Sequence, residues 1–487
     1  MPQDETTSPP SRRAFLSSSL TAALAGRAPA VAAPRRPNII VNVMDDQRFD
    51  ALGCYEGNSP LNFIRTPNMD KLAAEGVRFR NAFVTFSLCS PSRATMLSGK
   101  DVRTHGVNRL ALDLPPDCVI FPALLKQAGY ETGYTGKWHL GKDSDLPDPA
   151  FDYWAGVRDQ GLYIDPVMNI NGRQTNVRGY TTDIFMDHAI EFVSKPRNKP
   201  FFLWLAQKAP HSPCTPPQHL ETLYQDVEVP RPSTYCENHD DKPAWFLEQH
   251  DHDFFHVLLH PNDKYQKYVK DFCRTITSVD ENLGRLLQAL DQKGLAENTV
   301  IIHLADNGHF LGEHQLYSKM LMYEESIRVP LVVRYPAFAP QGRRRDEMVL
   351  NLDLAPTILE LAGVPVPPDM EGRSFRDLIA GRPARNWRRS YRYEYYCSTW
   401  GLPDFEGVRT ADGWKYCRFP DWEQLYNLNE DPTEIRNLAK APRYASKKRE
   451  LQAELKRLGG YQRELRGPCP YRRRSEPKHT PHAPDFR

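Results

Sequence analysis

The sequence predicts an α/β protein: a large central, mostly parallel sheet flanked by helices, with a smaller C-terminal antiparallel-sheet subdomain. Three observations carry this prediction. Apolar, β-branched or aromatic runs that end in polar residues alternate with segments of helical periodicity, as in a parallel sheet with its crossover helices. The 487-residue length exceeds one average domain, so a large unit plus a smaller one is expected. After about Pro383 the composition shifts to Tyr, Trp and Arg and acquires a hairpin signal.

The expected division is an export signal over 1–34, a catalytic domain over 35–382, an α+β subdomain over 383–465 and a disordered basic tail over 466–487. The leader reads as a twin-arginine signal: Arg12-Arg13 precedes Phe15-Leu16, a weakly apolar stretch runs to Gly26, and Ala30-Val31-Ala32-Ala33 supplies a cleavage site near Ala32 or Ala33. That route carries folded proteins and implies a periplasmic or secreted location. No later segment approaches the ~20 apolar residues of a membrane span, so stable membrane insertion is not expected.

Four apolar runs end in chemistry-bearing residues. Asn38 to Met44 ends at Asp45-Asp46, Glu131 to Thr135 leads to Lys137 and His139, Pro200 to Leu205 precedes His211, and Thr299 to Leu304 ends at Asp306-Asn307. Ligands of open α/β sheets gather at the carboxyl ends of strands, so these four segments should converge on one edge. Between them, Thr66-Pro67 opens a helix that stops at Gly76, and Ile276, Val279, Leu283, Leu286 and Leu290 recur at helical spacing as core. Pro213 to about Asp263 shows no clear period and reads as a long irregular insertion carrying His239, His250, His252, His256 and His260. In the C-terminal part, Tyr391 to Tyr396 reads as a strand, Gly407 to Phe419 as a hairpin turning on Asp412-Gly413, and Ala445 to Leu458 as a charged helix. The tail from Arg466, with Arg472-Arg473-Arg474, lacks the apolar residues to fold.

The formal charge of +2 gives no global field that would argue for nucleic acid, so any anionic ligand must be met by a local cluster. The nine cysteines include no Cys-x-x-Cys, which removes the common zinc spacings, and no disulfide can be assigned. Asp45, Asp46, Asp306 and Asn307 are hard oxygen donors of the kind Ca²⁺ prefers. A divalent cation there could hold a substrate oxygen.

Cys89-Ser90-Pro91-Ser92-Arg93 matches Cys-x-Pro-x-Arg, the signal by which maturation enzymes recognise a cysteine and oxidise it to formylglycine. Three fixed positions also occur by chance in many proteins, and the rest of the chain must decide. Ser90 as cap and Pro91 at the first helical position open a helix through about Leu97, placing Cys89 at a helix N-terminus where free backbone N–H groups favour an anion. Arg93, four residues on, can face the same site.

With Gly136-Lys137-Trp138-His139-Leu140-Gly141, Ala209-Pro210-His211, Asp306-Asn307-Gly308, the stretch Gly312 to Lys319, and Tyr323-Glu324-Glu325-Ser326, the chain from about Pro37 to Leu438 resembles the formylglycine-dependent sulfatases of the alkaline phosphatase superfamily. It is most similar to the branch acting on glycosaminoglycan and mucin sugars. The resemblance implies an alkaline phosphatase-like fold and a sulfated carbohydrate as substrate. It also implies a formylglycine-generating enzyme as maturation partner. Cys89 becomes formylglycine, and one hydroxyl of its hydrate attacks sulfur. His139 takes the proton of the other hydroxyl as the sulfated intermediate collapses. Arg93 holds the diol; Asp45, Asp46, Asp306, Asn307 and the modified Cys89 bind Ca²⁺; Lys137, Lys319 and His211 contact sulfate oxygens, with His211 or Lys319 protonating the leaving alcohol. His309, Gln315 and Ser318 depart from the family pattern and leave one wall of the pocket open. Competing readings are a phosphodiesterase or phosphonate monoester hydrolase of the same superfamily, a simple arylsulfatase or choline-sulfatase-like enzyme, and a non-catalytic polyanion-binding protein.

Overall fold

The computed structural model describes residues 36–55, 57–141, 147–396 and 399–469. The export signal predicted over 1–34 and the basic run Arg472-Arg473-Arg474 lie outside the described residues.

A ten-stranded mixed sheet forms the centre. Its middle is parallel: Asn38–Asp45 lies between Thr299–Ala305 and Phe201–Pro210, and Glu131–Lys137 lies between Phe201–Pro210 and Tyr153–Val157. The register sets Asn42 beside both Leu205 and His303, so the carboxyl ends of these strands finish together. Strands buried on both faces carry unbroken apolar runs, as in Ile39-Ile40-Val41 and Phe201-Phe202-Leu203-Trp204-Leu205, and each such side chain contributes about 1.5–3 kcal/mol by leaving water. Antiparallel strands complete both edges: Leu331–Arg334 on Thr299–Ala305, and Val167–Ile170 on Tyr153–Val157.

Helices cover the sheet. Pro67–Ala74 follows Thr66 and ends before Gly76, as predicted. The Ile276 to Leu290 pattern belongs to a much longer helix, Asn262–Gln292, which packs on Thr181–Ser194 and on Phe201–Pro210. The insertion read as irregular from Pro213 to Asp263 is irregular only to about Pro243. Beyond it, Ala244–Glu248 and His250–Phe254 are helical and a π-helical turn follows at Phe255–Leu259. These segments are too short to show a period, and their aromatic residues fold onto the core individually. No described helix is long and apolar enough to cross a membrane.

The C-terminal segment forms a four-stranded antiparallel sheet in the order Ser390–Tyr395, Phe405–Thr410, Trp414–Arg418, Glu423–Asn427. Gly413, at φ 92°, makes the predicted hairpin turn, a conformation that glycine adopts without Cβ strain. Helix Ala445–Arg457 covers one face through Leu451 and Leu455 against Val408, Tyr416 and Leu425. The other face packs through Tyr391, Tyr393 and Phe405 onto Phe83, Phe86 and Tyr323 of the larger part.

Candidate active site

Each of the four predicted strand ends delivers its residues to one place, and helix Cys89–Ser98 points its N-terminus there. Cys89 is the first residue of that helix and is buried. The helix starts two residues before the position read from sequence. Leu88 is the cap, and the Ser90 hydroxyl donates instead to the His139 carbonyl at 2.6 Å, tying the helix to the Lys137–His139 loop.

The site is a lattice of buried opposite charges. Lys319 Nζ lies 3.0 Å from Cys89 Sγ and also pairs with Asp46 Oδ1. Lys137 pairs with Asp45 Oδ2, and Asp45 Oδ1 stands 3.5 Å from Sγ. Arg93 donates through Nε to Asp306 Oδ2 at 2.9 Å and through NH1 to the Lys137 carbonyl at 2.5 Å. The Asp46 backbone N–H donates to Asp306 Oδ1 at 3.1 Å, and Asn307 Nδ2 donates to Asp46 Oδ1 at 2.6 Å. His211 Nε2 stands 3.8 Å from Asp46 Oδ2. All ten sequence-predicted residues (Asp45, Asp46, Cys89, Arg93, Lys137, His139, His211, Asp306, Asn307 and Lys319) are buried in this neighbourhood.

Electrostatics follow from that burial. Burial alone would raise the Asp45 carboxyl, yet Lys137, His211, Arg93 and Lys319 hold it well below the usual carboxylate range. Burial raises Asp46, with Lys319 opposing the rise and Asp45 adding to it. Asp306 is pushed up to about 6 by burial and by the charge of Asp45. Burial drives the Cys89 thiol up to about 12 against the pull of Lys137 and Lys319, so an unmodified Cys89 holds its proton at neutral pH and is a poor nucleophile. Burial also lowers His139 and His211 far below the ordinary imidazole value, leaving both neutral.

The donor set fits a hard divalent cation. Asp45, Asp46 and Asp306 bring carboxylate oxygens within 4.8 Å of one another, as do the ligand atoms of Asp45, Cys89 and His211. Asn307 Oδ1 is buried without a hydrogen-bond partner, an acceptor whose desolvation a cation would offset.

Sequence reasoning missed several residues. Gln160 follows the Tyr153–Val157 strand, a fifth parallel strand whose short run was not recognised; its side-chain oxygen accepts from Lys137 Nζ and its nitrogen stands 3.4 Å from His139 Nε2. His309 Nδ1 lies 3.6 Å from Asp46 Oδ2, and its ring stacks on Phe272. His250, from the insertion, lines the pocket over Cys89 together with Trp400, and its Nδ1 meets Asp251 Oδ1 at 2.9 Å. Asp46, His139, Ser318 and Met320 all have positive φ, backbone strain gathered at one site that residue types do not announce. By contrast, Arg48 after the Asp45-Asp46 pair and Glu324 of the Tyr323–Ser326 stretch are structural. Arg48 bridges Asp50 and Glu313 at 2.5 and 2.7 Å, and Glu324 binds Arg409 and Lys415 of the C-terminal sheet at 3.2 and 3.0 Å.

Comparison with known proteins agrees with this geometry. Residues 37–364 match the sulfatase family, and residues 312–460 match the family described as N-sulphoglucosamine sulphohydrolase, C-terminal. The N-acetylglucosamine-6-O-sulfatase of Bacteroides thetaiotaomicron is 34% identical over 86% of this chain and 85% of its own length. The human N-acetylglucosamine-6-sulfatase is 29% identical over 84% of this chain and 82% of its own length. A solved structure described as a complex with its substrate, D-glucosamine-2-N,6-O-disulfate, superposes with a TM-score of 0.81 at 32% identity, covering 87% of this chain and 97% of that one. With a family match across most of its length and a Cys89 side chain set among lysines and carboxylates, this chain belongs to the sulfatase family and is a sulfuric ester hydrolase.

Proposed function

We propose that the protein removes sulfate from a sulfated carbohydrate, a 6-O-sulfated glucosamine unit being the best candidate, outside the cytoplasm. The observation that carries the reading is the convergence of two lysines, an imidazole and a ten-residue helix N-terminus on the side chain of Cys89. A tetrahedral dianion or monoanion suits such a cradle. The substrate class rests on the printed activities of the relatives and on the ligand named for the solved neighbour.

Formylglycine at position 89, once hydrated, would supply an oxygen nucleophile, and a Ca²⁺ held by Asp45, Asp46, Asp306 and Asn307 would supply positive charge to a sulfate oxygen. Lys137 and Lys319 bind the remaining sulfate oxygens by charge-assisted hydrogen bonds. Arg93, fixed by Asp306 and the Lys137 carbonyl, still has an NH2 group without a hydrogen-bond partner to give to the nucleophile. His139 presents a buried Nδ1 without a partner, which can take up a proton. His211 donates through Nδ1 to the Ser212 carbonyl at 2.9 Å, which turns Nε2 toward the site, and the proton for the leaving sugar oxygen comes from His211 Nε2 or from Lys319.

Protein co-produced with a formylglycine-generating enzyme should release sulfate from N-acetylglucosamine-6-sulfate, and Cys89→Ala should not. Faster turnover of 4-nitrophenyl phosphate than of any sulfate ester, or full activity in Cys89→Ala, would overturn this reading.

A further inference from the structure

A large cleft lies apart from the Cys89 pocket and shares none of its lining residues. It measures about 640 Å³, within the range of ligand sites, and opens between the C-terminal sheet, the end of helix Ala445–Arg457 and the Glu371–Arg373 segment. Five arginines line it: Arg373, Arg388, Arg389, Arg392 and Arg457. Three are engaged. Arg388 holds Asp353 with both terminal nitrogens, Arg457 holds Glu454 at 2.7 Å, and Arg392 reaches Asp101 at 3.3 Å. The acids of the cleft are likewise committed. Asp101 caps the Arg103 backbone N–H, Glu371 accepts from the Asp101 backbone and Thr104, and Glu454 accepts from Ser390.

Two guanidinium groups remain. Arg373 touches only the Asn386 carbonyl, at 3.3 Å, and the exposed Arg389 side chain has no ion pair among the described residues. A second observation points the same way. Thr85 Oγ1, Tyr391 Oη and Arg392 Nε, on residues that line the cleft, are buried without hydrogen-bond partners, and Thr85 and Tyr391 are only 4% and 2% exposed. Each such group costs about 1–3 kcal/mol unless something satisfies it. Burial, then the charge of Glu324, holds the Tyr391 phenol protonated, so it is available as a donor. Trp387, half-buried on the same wall with its indole N–H given to Met348, offers a ring against which a sugar could lie.

We propose that this cleft is a second, non-catalytic site for an anionic saccharide, with Arg373 and Arg389 pairing with its sulfate or carboxylate groups. The ligand class rests on the function proposed above; the site itself rests on the cleft and on the two arginines that no acid engages among the described residues.

The test uses the full chain carrying Cys89→Ala and a fluorescent heparin hexasaccharide, alongside chitohexaose and inorganic sulfate. Adding Arg373→Ala and Arg389→Ala should weaken hexasaccharide binding tenfold or more, and Arg373→Lys with Arg389→Lys should recover part of it. In matured protein without the Cys89→Ala change, the same alanine pair should leave turnover of 4-nitrophenyl sulfate unchanged. Undiminished hexasaccharide affinity in the alanine variant, equal binding of chitohexaose, or inorganic sulfate binding as tightly as the hexasaccharide would each overturn the proposal. Arginine-dependent binding in a protein that hydrolyses no sulfated sugar would uphold this site and sink the proposed function instead.

Discussion

Lys319 Nζ stands 3.0 Å from Cys89 Sγ while pairing with Asp46 Oδ1, so one ammonium links the nucleophile position to the carboxylate cluster. Removing it takes away a charge that stabilises the developing anion in a buried site, where such groups are worth several kcal/mol. In matured protein Lys319→Ala should lower kcat for an aryl sulfate by about 10²–10³-fold, and Lys319→Arg should not restore it, because a planar fork cannot replace a point charge in that space. A loss below threefold in steady-state assays would remove Lys319 from the chemistry.

The carboxylate cluster predicts cation-dependent stability. Ca²⁺ bound to the folded state alone stabilises it by about 2.7 kcal/mol at a hundredfold excess over Kd. Chelation should therefore lower Tm by a few degrees, and Ca²⁺ should restore it better than Mg²⁺, which demands tighter octahedral geometry. Asn307→Ala should abolish most of the shift, since it removes the unsatisfied Oδ1. Differential scanning calorimetry of the parent and this variant decides the matter.

Much of this site was legible because its chemistry sits at the ends of apolar runs. Asp45-Asp46, Lys137, His211 and Asp306-Asn307 follow strands whose β-branched and aromatic composition needs no partner to be recognised. Gln160 was not legible, because Tyr153–Val157 is only five residues long and its sheet neighbour lies far away in sequence. His250 and Trp400 meet over Cys89 through tertiary packing, which no periodicity encodes. The helix start at Cys89 was misplaced by two residues because a serine before a proline usually caps, whereas here its hydroxyl is claimed by the His139 carbonyl. The C-terminal hairpin was read correctly, since Asp-Gly carries its own turn geometry.

Gly136 positions Lys137. At φ 113°, an added Cβ would sit 1.8 Å from the Ala206 carbonyl oxygen of the neighbouring strand. Gly136→Ala should displace the strand end, destabilise the fold by several kcal/mol and leave any folded fraction with impaired turnover. Urea unfolding monitored by tryptophan fluorescence will show it as a lowered midpoint.

Lys415 joins the C-terminal sheet to the larger part through Glu324, at 3.0 Å, and pairs with Glu434 of its own subdomain at 2.8 Å, all three side chains being nearly inaccessible. Lys415→Met leaves the buried Glu434 carboxylate without a cation and Glu324 dependent on Arg409, and should cost about 3–5 kcal/mol. Adding Glu434→Gln should recover part of that loss, a coupling that a double-mutant cycle measures directly.

Asp280 accepts from the backbone N–H groups of Met69 and Asn68, at 2.7 and 3.1 Å, and so closes the first turn of helix Pro67–Ala74 from a distant helix. Burial raises its carboxyl to about 6, although these donors pull the other way. A folded-state value above the unfolded one means that the folded chain binds the proton more tightly. The associated stability is full below about pH 4 and disappears as pH rises through about 6. The stability of the parent relative to Asp280→Asn should therefore increase as pH falls from 7.5 to 4.5, by up to about 2 kcal/mol. Urea midpoints at the two pH values that show the opposite trend would contradict the assignment.

The central claim is that Cys89 becomes the nucleophile through oxidation to formylglycine. Mass spectrometry of the tryptic peptide containing Cys89, on active protein from its native host, should show a loss of ~18 Da relative to the thiol form. An unmodified thiol in fully active protein would contradict the account.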